Sequence, residues 1–333
     1  MPAPPRPGLI ADIGGTNARF ALVKPDGRVI AAERLATRDF PGPVEAARAF
    51  LARHARDENA PDRAAWCIAC PVGGDEVSLT NHPWTFSIAS SRAALGLDAL
   101  TVVNDFVANA MAIPELSPAD TLNVGPEPAP ATTPISAPIA ALGPGTGLGV
   151  ALLVPDGPDL WRPLATEGGH VTLAPTTAEE ARVIAHLWNT YDHVSAERLV
   201  SGPGLALLYE TLCALDGEPP AQTGPRAIAA AAQAGTDARA VRAVDMMFAF
   251  LGTVAGNLVL SAGALGGVYI LGGIVPANRD RFQTSPFRDR FEAKGRFRDY
   301  LAGVPTRVVL HPNPAFPGLV RLLRDTGRTV GSP

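Results

Sequence analysis

The chain opens on a short apolar run, Leu9-Ile-Ala-Asp-Ile13, then turns at Gly14-Gly15 and returns as Ala18-Arg-Phe-Ala-Leu-Val23. Two apolar runs joined by glycines predict a β-hairpin with a glycine-rich tip. The pattern recurs where Ile139-Ala-Ala-Leu142 enters Gly143-Pro-Gly-Thr-Gly147 and Val150-Ala-Leu-Leu-Val154 leaves it. Gly15-Thr16 and Gly145-Thr146 match at an offset of 130 residues, and Ala21-Leu22 then falls on Ala151-Leu152. Such self-similarity points to duplication of one lobe. Stretches near 44–56, 178–190, 204–214 and 238–262 carry Ala and Leu at helical spacing. Strands that alternate with helices make the fold class α/β.

One stretch, Met246 to Asn278, contains no charged residue and is long enough to span a bilayer. Glycines at 252, 256, 263, 266, 267, 272 and 273 interrupt it, and no basic cluster flanks it. It therefore reads as a buried helix followed by a buried strand, with no membrane as partner. Between the hairpins, residues 125–138 hold five prolines, which forbid helix and disfavour ladder pairing, so this segment reads as a surface connection.

Composition narrows the function classes. The chain has 333 residues, 47% hydrophobic and 18% charged, enough apolar surface to bury a sizeable core. A net charge of -4 offers no general field for nucleic acid, which leaves a small-molecule partner. Three cysteines are too few for a disulfide scaffold, and MPAPPRPG before Leu9 lacks the apolar core of a signal peptide. The expected location is cytoplasmic.

Several segments carry candidate chemistry. Asp12-Ile-Gly-Gly-Thr-Asn17 sets a carboxylate at a strand end before a tip whose amides could cradle phosphate, although a plain hairpin turn has the same look. Gly143-Pro-Gly-Thr-Gly-Leu-Gly149 is dense in glycine, but a strand and not a helix follows it, so the dinucleotide-fold reading fails its context; no Walker A sequence occurs. Two Gly-Thr tips could hold one triphosphate from both sides.

Val102-Val-Asn104-Asp105-Phe106 puts an amide and a carboxylate at a strand's carboxyl end, where α/β proteins build sites, just before a helical run at Ala108 to Ile113. An N-cap explains the pair equally well, and alternation along a strand would point Asn104 and Asp105 to opposite sides. Glu167-Gly-Gly-His170 and Glu197, within Ser195-Ala-Glu-Arg198, add the donors and acceptors that vicinal hydroxyls require, or else serve as ion-pair and capping residues. Ser201-Gly-Pro-Gly204 starts the helix at Leu205. Cys67 and Cys70 have the spacing of a zinc half-site, but no second pair follows and Trp66-Cys-Ile-Ala-Cys70 reads as a buried strand. His186 and His193 have no partner motif.

Taken together, Asp12-Ile-Gly-Gly-Thr-Asn-Ala-Arg19, Thr80-Asn-His-Pro-Trp84, Asn104-Asp105, Gly145-Thr-Gly-Leu-Gly149, Glu167-Gly-Gly-His170, Ser195-Ala-Glu-Arg198, Ser201-Gly-Pro-Gly204 and Gly266-Gly-Val-Tyr-Ile-Leu-Gly-Gly-Ile-Val-Pro276 closely resemble the bacterial glucokinase family, in the family's order and over nearly the whole chain. The resemblance implies a two-lobed actin-like ATPase (ribonuclease H-like) fold with a cleft between a smaller domain, 1–115 plus 311–333, and a larger one, 116–310. It implies that Asn104, Asp105, Glu167, His170 and Glu197 hold the sugar, with Asp105 as base. Gly14, Gly15, Thr16, Gly145, Thr146 and Gly147 would face the phosphates of ATP, and Gly272 and Gly273 would lie near its adenosine. Asp12 would organise Mg²⁺ through water. The implied reaction transfers the ATP γ-phosphoryl group to the 6-hydroxyl of glucose, in a cytoplasmic homodimer.

Kinases for mannose or fructose share these features, and a sugar-sensing regulator would need a DNA-binding module where only eight residues precede Leu9. The chain departs from its relatives in three places. Only Cys213 follows His170, so no structural zinc is expected. Pro144 stands where a smaller residue is common, and the connection at 125–138 is long.

Overall fold

The computed structural model describes residues 6–56, 60–80, 82–126 and 136–329. Asn81 of the Thr80–Trp84 motif, residues 127–135 of the proline-rich connection and the outermost residues of the expected domain boundaries lie outside them. Two compact units divide the chain: the first runs to Leu116 and resumes at His311, and the second is Ser117–Leu310.

In the first unit, strands β1 (Gly8–Ile13), β2 (Asn17–Val23) and β3 (Val29–Ala36) precede helix α1 (Pro43–His54) and β4 (Arg63–Ile68). A small hairpin of β5 (Glu76–Ser78) and β6 (Thr85–Ser87) leads into α2 (Ile88–Ala94), β7 (Ala99–Asn104) and α3 (Asp105–Met111). The sheet order is β3-β2-β1-β4-β7. The first three strands are antiparallel, and β4 and β7 run parallel to β1. Continuous apolar strands such as β1 lie inside because helices cover them, whereas β3 at the edge alternates exposed and half-buried residues. Helix α1 buries Pro43, Ala46, Ala47 and Phe50, the i, i+3, i+4, i+7 stripe of an amphipathic helix. The Thr80–Trp84 motif contributes a buried Trp84, whose Nε1 donates to the Phe40 carbonyl at 3.1 Å.

The C-terminal helix, Ala315–Thr329, belongs to this first unit and packs on α3, β1 and β4. Ala315, Leu319, Leu322 and Leu323 form its buried stripe, and Arg321 reaches Glu115 at 2.8 Å.

The second unit repeats the plan. Its strands are β8 (Thr121–Asn123), β9 (Ile139–Pro144), β10 (Leu148–Pro155), β11 (Trp161–Thr166), β12 (Val268–Ile270) and β13 (Thr306–Val309), in the order β11-β10-β9-β12-β13-β8. Apart from the added antiparallel edge strand β8, this is the order and strand direction of the first sheet. The hairpin match does not keep one offset. Leu22 and Leu152 correspond at 130 residues, but their partners Leu9 and Ala140 correspond at 131. The cause lies in the tips: residues 14–17 separate the last pair of the first hairpin and residues 145–147 that of the second.

Helices α4 (Ala178–Leu187), α5 (Ala196–Leu199), α6 (Gly202–Asp216), α7 (Pro225–Ala234) and α8 (Ala238–Ala262) fill the long insertion between β11 and β12. Helix α8 starts at Asp237, whose side chain accepts from the amides of Arg239 and Ala240, and stops at Gly263 in a left-handed conformation. Among the described residues it is the one helix long and apolar enough to cross a membrane, yet 78% of its most apolar window is buried inside the protein. Phe248 stacks edge-on against Phe282 at 4.8 Å, and Phe282 meets Phe287 at 4.7 Å, contacts that each add about 0.5–1.5 kcal/mol beyond area burial.

Gly318 lets the C-terminal helix pack closely on α3. A Cβ there would run into the carbonyl oxygen of Ala108, a backbone atom that cannot swing away. Gly318→Ala is therefore expected to lower stability by about 1–3 kcal/mol or more, the usual cost of overpacking, despite the higher helix propensity of alanine. Urea denaturation checks this, and an unchanged midpoint would contradict the packing described.

Candidate active site

The three parallel strands of the first sheet end side by side, and their registry decides what meets there. Asp12 on β1 is opposite Cys67 on β4, and Ile68 is opposite Asn104 on β7. Asp12, Cys67 and Asp105 thereby share one sheet edge, the carboxyl end at which α/β sites form. The buried Cys67 thiol donates to Asp12 Oδ1 at 3.5 Å. Burial, and then the charges of Asp12 and Asp105, push this thiol far above its ordinary range, so it stays protonated and available as a donor. Asp12 also faces Arg19 across the hairpin at 4.0 Å, a loose pair that leaves the carboxylate partly open.

Asn104 and Asp105 do not diverge as strand alternation predicts. Helix α3 begins at Asp105, three residues before the expected run, and Asn104 is its N-cap. Asn104 Oδ1 and Asp105 Oδ1 each accept from the same Phe106 amide at 2.8 Å. The amide of Asn104 also donates to the Cys70 carbonyl at 3.1 Å, which ties the strand end down. Burial raises the Asp105 carboxyl above its ordinary pKa; the Asp12 charge adds to this, against the lowering effect of the Phe106 hydrogen bond. A carboxylate that is capped, half-buried and next to a like charge is poised to accept a proton.

The tip of the first hairpin is tied from behind. Thr37 donates its hydroxyl to the Gly15 carbonyl at 2.9 Å and its amide to the Thr16 carbonyl at 3.1 Å, with Gly14 and Gly15 half-buried and Thr16 exposed. In the second unit Gly145 and Gly147 are half-buried and Thr146 is exposed. Nothing lies within 4 Å of the position a Cβ would take at Gly145, so that face is open to a ligand. Pro144 is the last residue of β9 and lies beyond the ladder with β12, which ends at Leu142, so its missing N–H breaks no bond there. Its carbonyl packs on Gly272, which has φ +82 and no room for a side chain. Gly273 adjoins it with open space on its own face.

Glu167 and His170 flank a single 3-10 turn, Gly168–His170, and their side chains are 74% and 59% exposed at 4.0 Å from each other. So exposed a pair contributes little to stability, which leaves both groups available. Glu197 comes to the cavity with His170 by a separate route. Thr172 and Ser195 form an antiparallel bridge, Leu173 donates to the Val194 carbonyl at 3.0 Å, and Ala196 donates to the Val171 carbonyl at 2.9 Å. This zipper ends in α5, whose Ser195 cap fixes Glu197. Glu197 Oε2 then accepts from the Leu148 amide at 2.8 Å and lies against Gly147.

A cavity of about 260 Å³ in the second unit is lined by Thr146, His170, Tyr191, Glu197, Arg198 and Ser201, among others. It brings one expected phosphate residue, Thr146, together with the expected sugar residues His170 and Glu197, whereas Gly145, Gly147, Glu167, Gly272 and Gly273 are not in its wall. The start of α6 closes it, since Gly202 donates to the Gly145 carbonyl at 2.8 Å and Ser201 caps the helix at Gly204. Sequence reading missed Tyr191, Arg198 and Ser201 as lining residues, and missed His193, whose Nε2 bonds to the His170 carbonyl at 3.0 Å. Arg198 was signalled by its place beside Glu197 in the Ser195-Ala-Glu-Arg198 motif; Tyr191 and His193 offered no signal.

The family model described as glucokinase matches residues 9–326. The glucokinase of Paramagnetospirillum magneticum is 49% identical over 320 residues, covering 95% of this chain and 97% of that protein. That of Nitrobacter hamburgensis is 46% identical over 314 residues, covering 94% and 96%. Among solved structures, a glucokinase from an Antarctic psychrotroph superposes with a TM-score of 0.86 at 34% identity, covering 96% of this chain and 99% of that one. With a match over nearly its whole length and the expected residues at strand ends and hairpin tips, the chain belongs to the glucokinase family.

Proposed function

We infer that the protein is an ATP-dependent glucokinase that transfers the γ-phosphoryl group to the 6-hydroxyl of glucose, giving glucose 6-phosphate and ADP. The observation that carries this reading is the cavity where His170 and Glu197, suited to sugar hydroxyls, meet the open Gly-Thr tip at Thr146, in a chain of the glucokinase family. The reading takes the two units as the lobes of an actin-like ATPase, 1–115 plus 311–333 and 116–310, closing on their substrates. The strand order repeated in both sheets supports this. Glucose would be held by Asn104, Asp105, Glu167, His170 and Glu197. The amides at Gly14–Thr16 and Gly145–Gly147 would hold the phosphates, and Gly272 and Gly273 would lie beside the adenosine. A cytoplasmic homodimer, with no nucleic acid or membrane as partner, belongs to the same reading.

Among the described residues no group of three His, Cys, Asp or Glu forms a metal cage. A single partly open carboxylate, Asp12, suits a magnesium ion that arrives on the nucleotide and keeps much of its water. When bound, that ion would offset phosphate charge. Asp105 would accept the proton of the 6-hydroxyl as the sugar oxygen bonds to phosphorus and the bond to ADP breaks. Burial that raises the Asp105 pKa makes the ionised form a stronger base, at the cost of an activity limb that falls as pH drops through that raised value.

Asp105→Asn separates catalysis from stability. The amide keeps the shape but accepts no proton, so kcat is expected to fall roughly 10²-fold to 10⁴-fold, with glucose affinity changed much less. Stability moves the other way. Because the folded pKa is raised, folding takes up a proton between the ordinary carboxylate value and the folded one, and that contribution is lost as pH rises through the folded value. Above it the ionised carboxylate costs stability, so the variant should match or exceed the parent in Tm at neutral pH. Parental kcat would remove Asp105 as base, and a clear drop in Tm would contradict the burial argument.

Glucose should also be used far better than fructose, since hydroxyls that leave Glu167, His170 or Glu197 unpaired forfeit about 1–3 kcal/mol. A coupled ADP-release assay across hexoses measures this; equal kcat/KM for the two sugars would show that these residues do not select.

A further inference from the structure

Arg198 follows Glu197 in α5, and its guanidinium lies over the Tyr191 ring, 4.2 Å from the centroid. Both side chains face the cavity that holds Thr146, His170 and Glu197, whose lining has this one guanidinium and no lysine. Several other guanidinium groups of the second unit are neutralised at close range, Arg242 by Glu179 and Asp216, Arg281 by Asp245 and Arg290 by Glu180, while Arg296 and Arg307 stack on Phe297 and Tyr269 outside the lining of this cavity. No carboxylate among the described residues pairs with Arg198. Its neighbour Glu197 is directed instead at the Leu148 amide. A cation that stacks on an aromatic plane has its donor fork oriented in advance, while its charge stays available to an anion. Arg198 is exposed on a wall that otherwise supplies hydroxyls, an imidazole and one carboxylate, so an anionic ligand in the cavity can reach its guanidinium.

We propose that Arg198 binds the phosphoryl group in transit, contacting its oxygens as the group leaves ADP and joins the sugar. This rests on the glucokinase reading of the cavity. In the step, the bond from phosphorus to the ADP oxygen breaks, ADP keeps the electron pair, the 6-oxygen of glucose forms the new bond, and its proton passes to Asp105. Arg198 exchanges no proton; its fork matches two phosphoryl oxygens and offsets their charge. Tyr191 acts through Arg198 as a positioning residue.

The test compares the full-length parent with Arg198→Ala, Arg198→Lys and Tyr191→Leu. Arg198→Ala is expected to lose about 10²-fold to 10³-fold in kcat, the range for removing one preorganised charge-stabilising donor. Calorimetric affinity for glucose should stay within about threefold, a change of only ~0.6 kcal/mol. Arg198→Lys should recover part of kcat, because a point charge replaces the fork. Tyr191→Leu should fall between it and the parent. Added guanidinium chloride at millimolar concentration should raise kcat of Arg198→Ala, an effect that a merely structural arginine would not give. Two further measurements identify the phosphoryl source. A rise in KM for ATP assigns the contact to the nucleotide's terminal phosphate, and weakened binding of glucose 6-phosphate relative to glucose assigns it to the product side. Either supports the proposal. Arg198→Ala with kcat within threefold of the parent, or with glucose affinity and Tm falling in step with kcat without rescue, would overturn it. Parental glucose phosphorylation in the same assays keeps the glucokinase reading separate from the fate of Arg198.

Discussion

Each sheet of this protein is organised around a central strand that stops at a hairpin tip, and backbone amides at such a tip have no ladder partner to use. β1 and β9 occupy that central place, with antiparallel strands on one side and parallel strands on the other. Antiparallel pairing supplies the tight turn, and parallel pairing brings neighbouring strand ends to the same edge. A turn whose amides are only partly spent within it, Gly14 donating to the Asn17 carbonyl and Gly145 to the Gly147 carbonyl, thus stands beside side chains from strands far apart in sequence. In the first unit this sets Asp12 and Asp105 at the edge where Gly14–Thr16 turn; in the second it sets Gly272 against the carbonyl of Pro144. Pro144 is tolerated because it lies beyond Leu142, the last residue of β9 that pairs with β12.

The second unit places its charged groups by other means. Residues 171–173 and 194–196 zip together for one short stretch, carrying His170 and Glu197 into the same cavity although 26 positions separate them. His193 steadies the turn from below through the His170 carbonyl. Little of this stabilises the unit: Glu167 and His170 are largely exposed and loosely paired. Stability comes from elsewhere, chiefly α8 and the phenylalanines packed around it. The separation leaves polar groups of the cavity unspent on folding, at the ordinary cost that functional side chains contribute little to the fold.

Asp105 is the opposite case. Its carboxylate is half-buried, capped against its own helix and raised in pKa by partial burial and by Asp12. A carboxylate kept in so poor a solvent for charge costs the fold something, and the C-terminal helix packed on α3 through Gly318 helps hold it there.

Local pattern alone determined the two hairpins, the limits of α8 at Ala238 and Ala262, the buried strand after it, and the motifs whose order marks the glucokinase family. These were legible because strand, helix and turn preferences act over a few residues, and because a stretch without charge but broken by glycines can hardly be anything but core. The one-residue difference between the tips was not legible, since pairing register depends on how a strand's partner closes the turn. Nor was the convergence of Asn104 and Asp105 on one amide: alternation holds only while the chain stays a strand, and tertiary packing begins α3 at Asp105. The meeting of His170, Glu197, Tyr191 and Arg198 likewise belongs to tertiary structure. Which distant segments zip together, and what a guanidinium then stacks on, follows from burial shared across the whole unit, a quantity no short window of sequence contains.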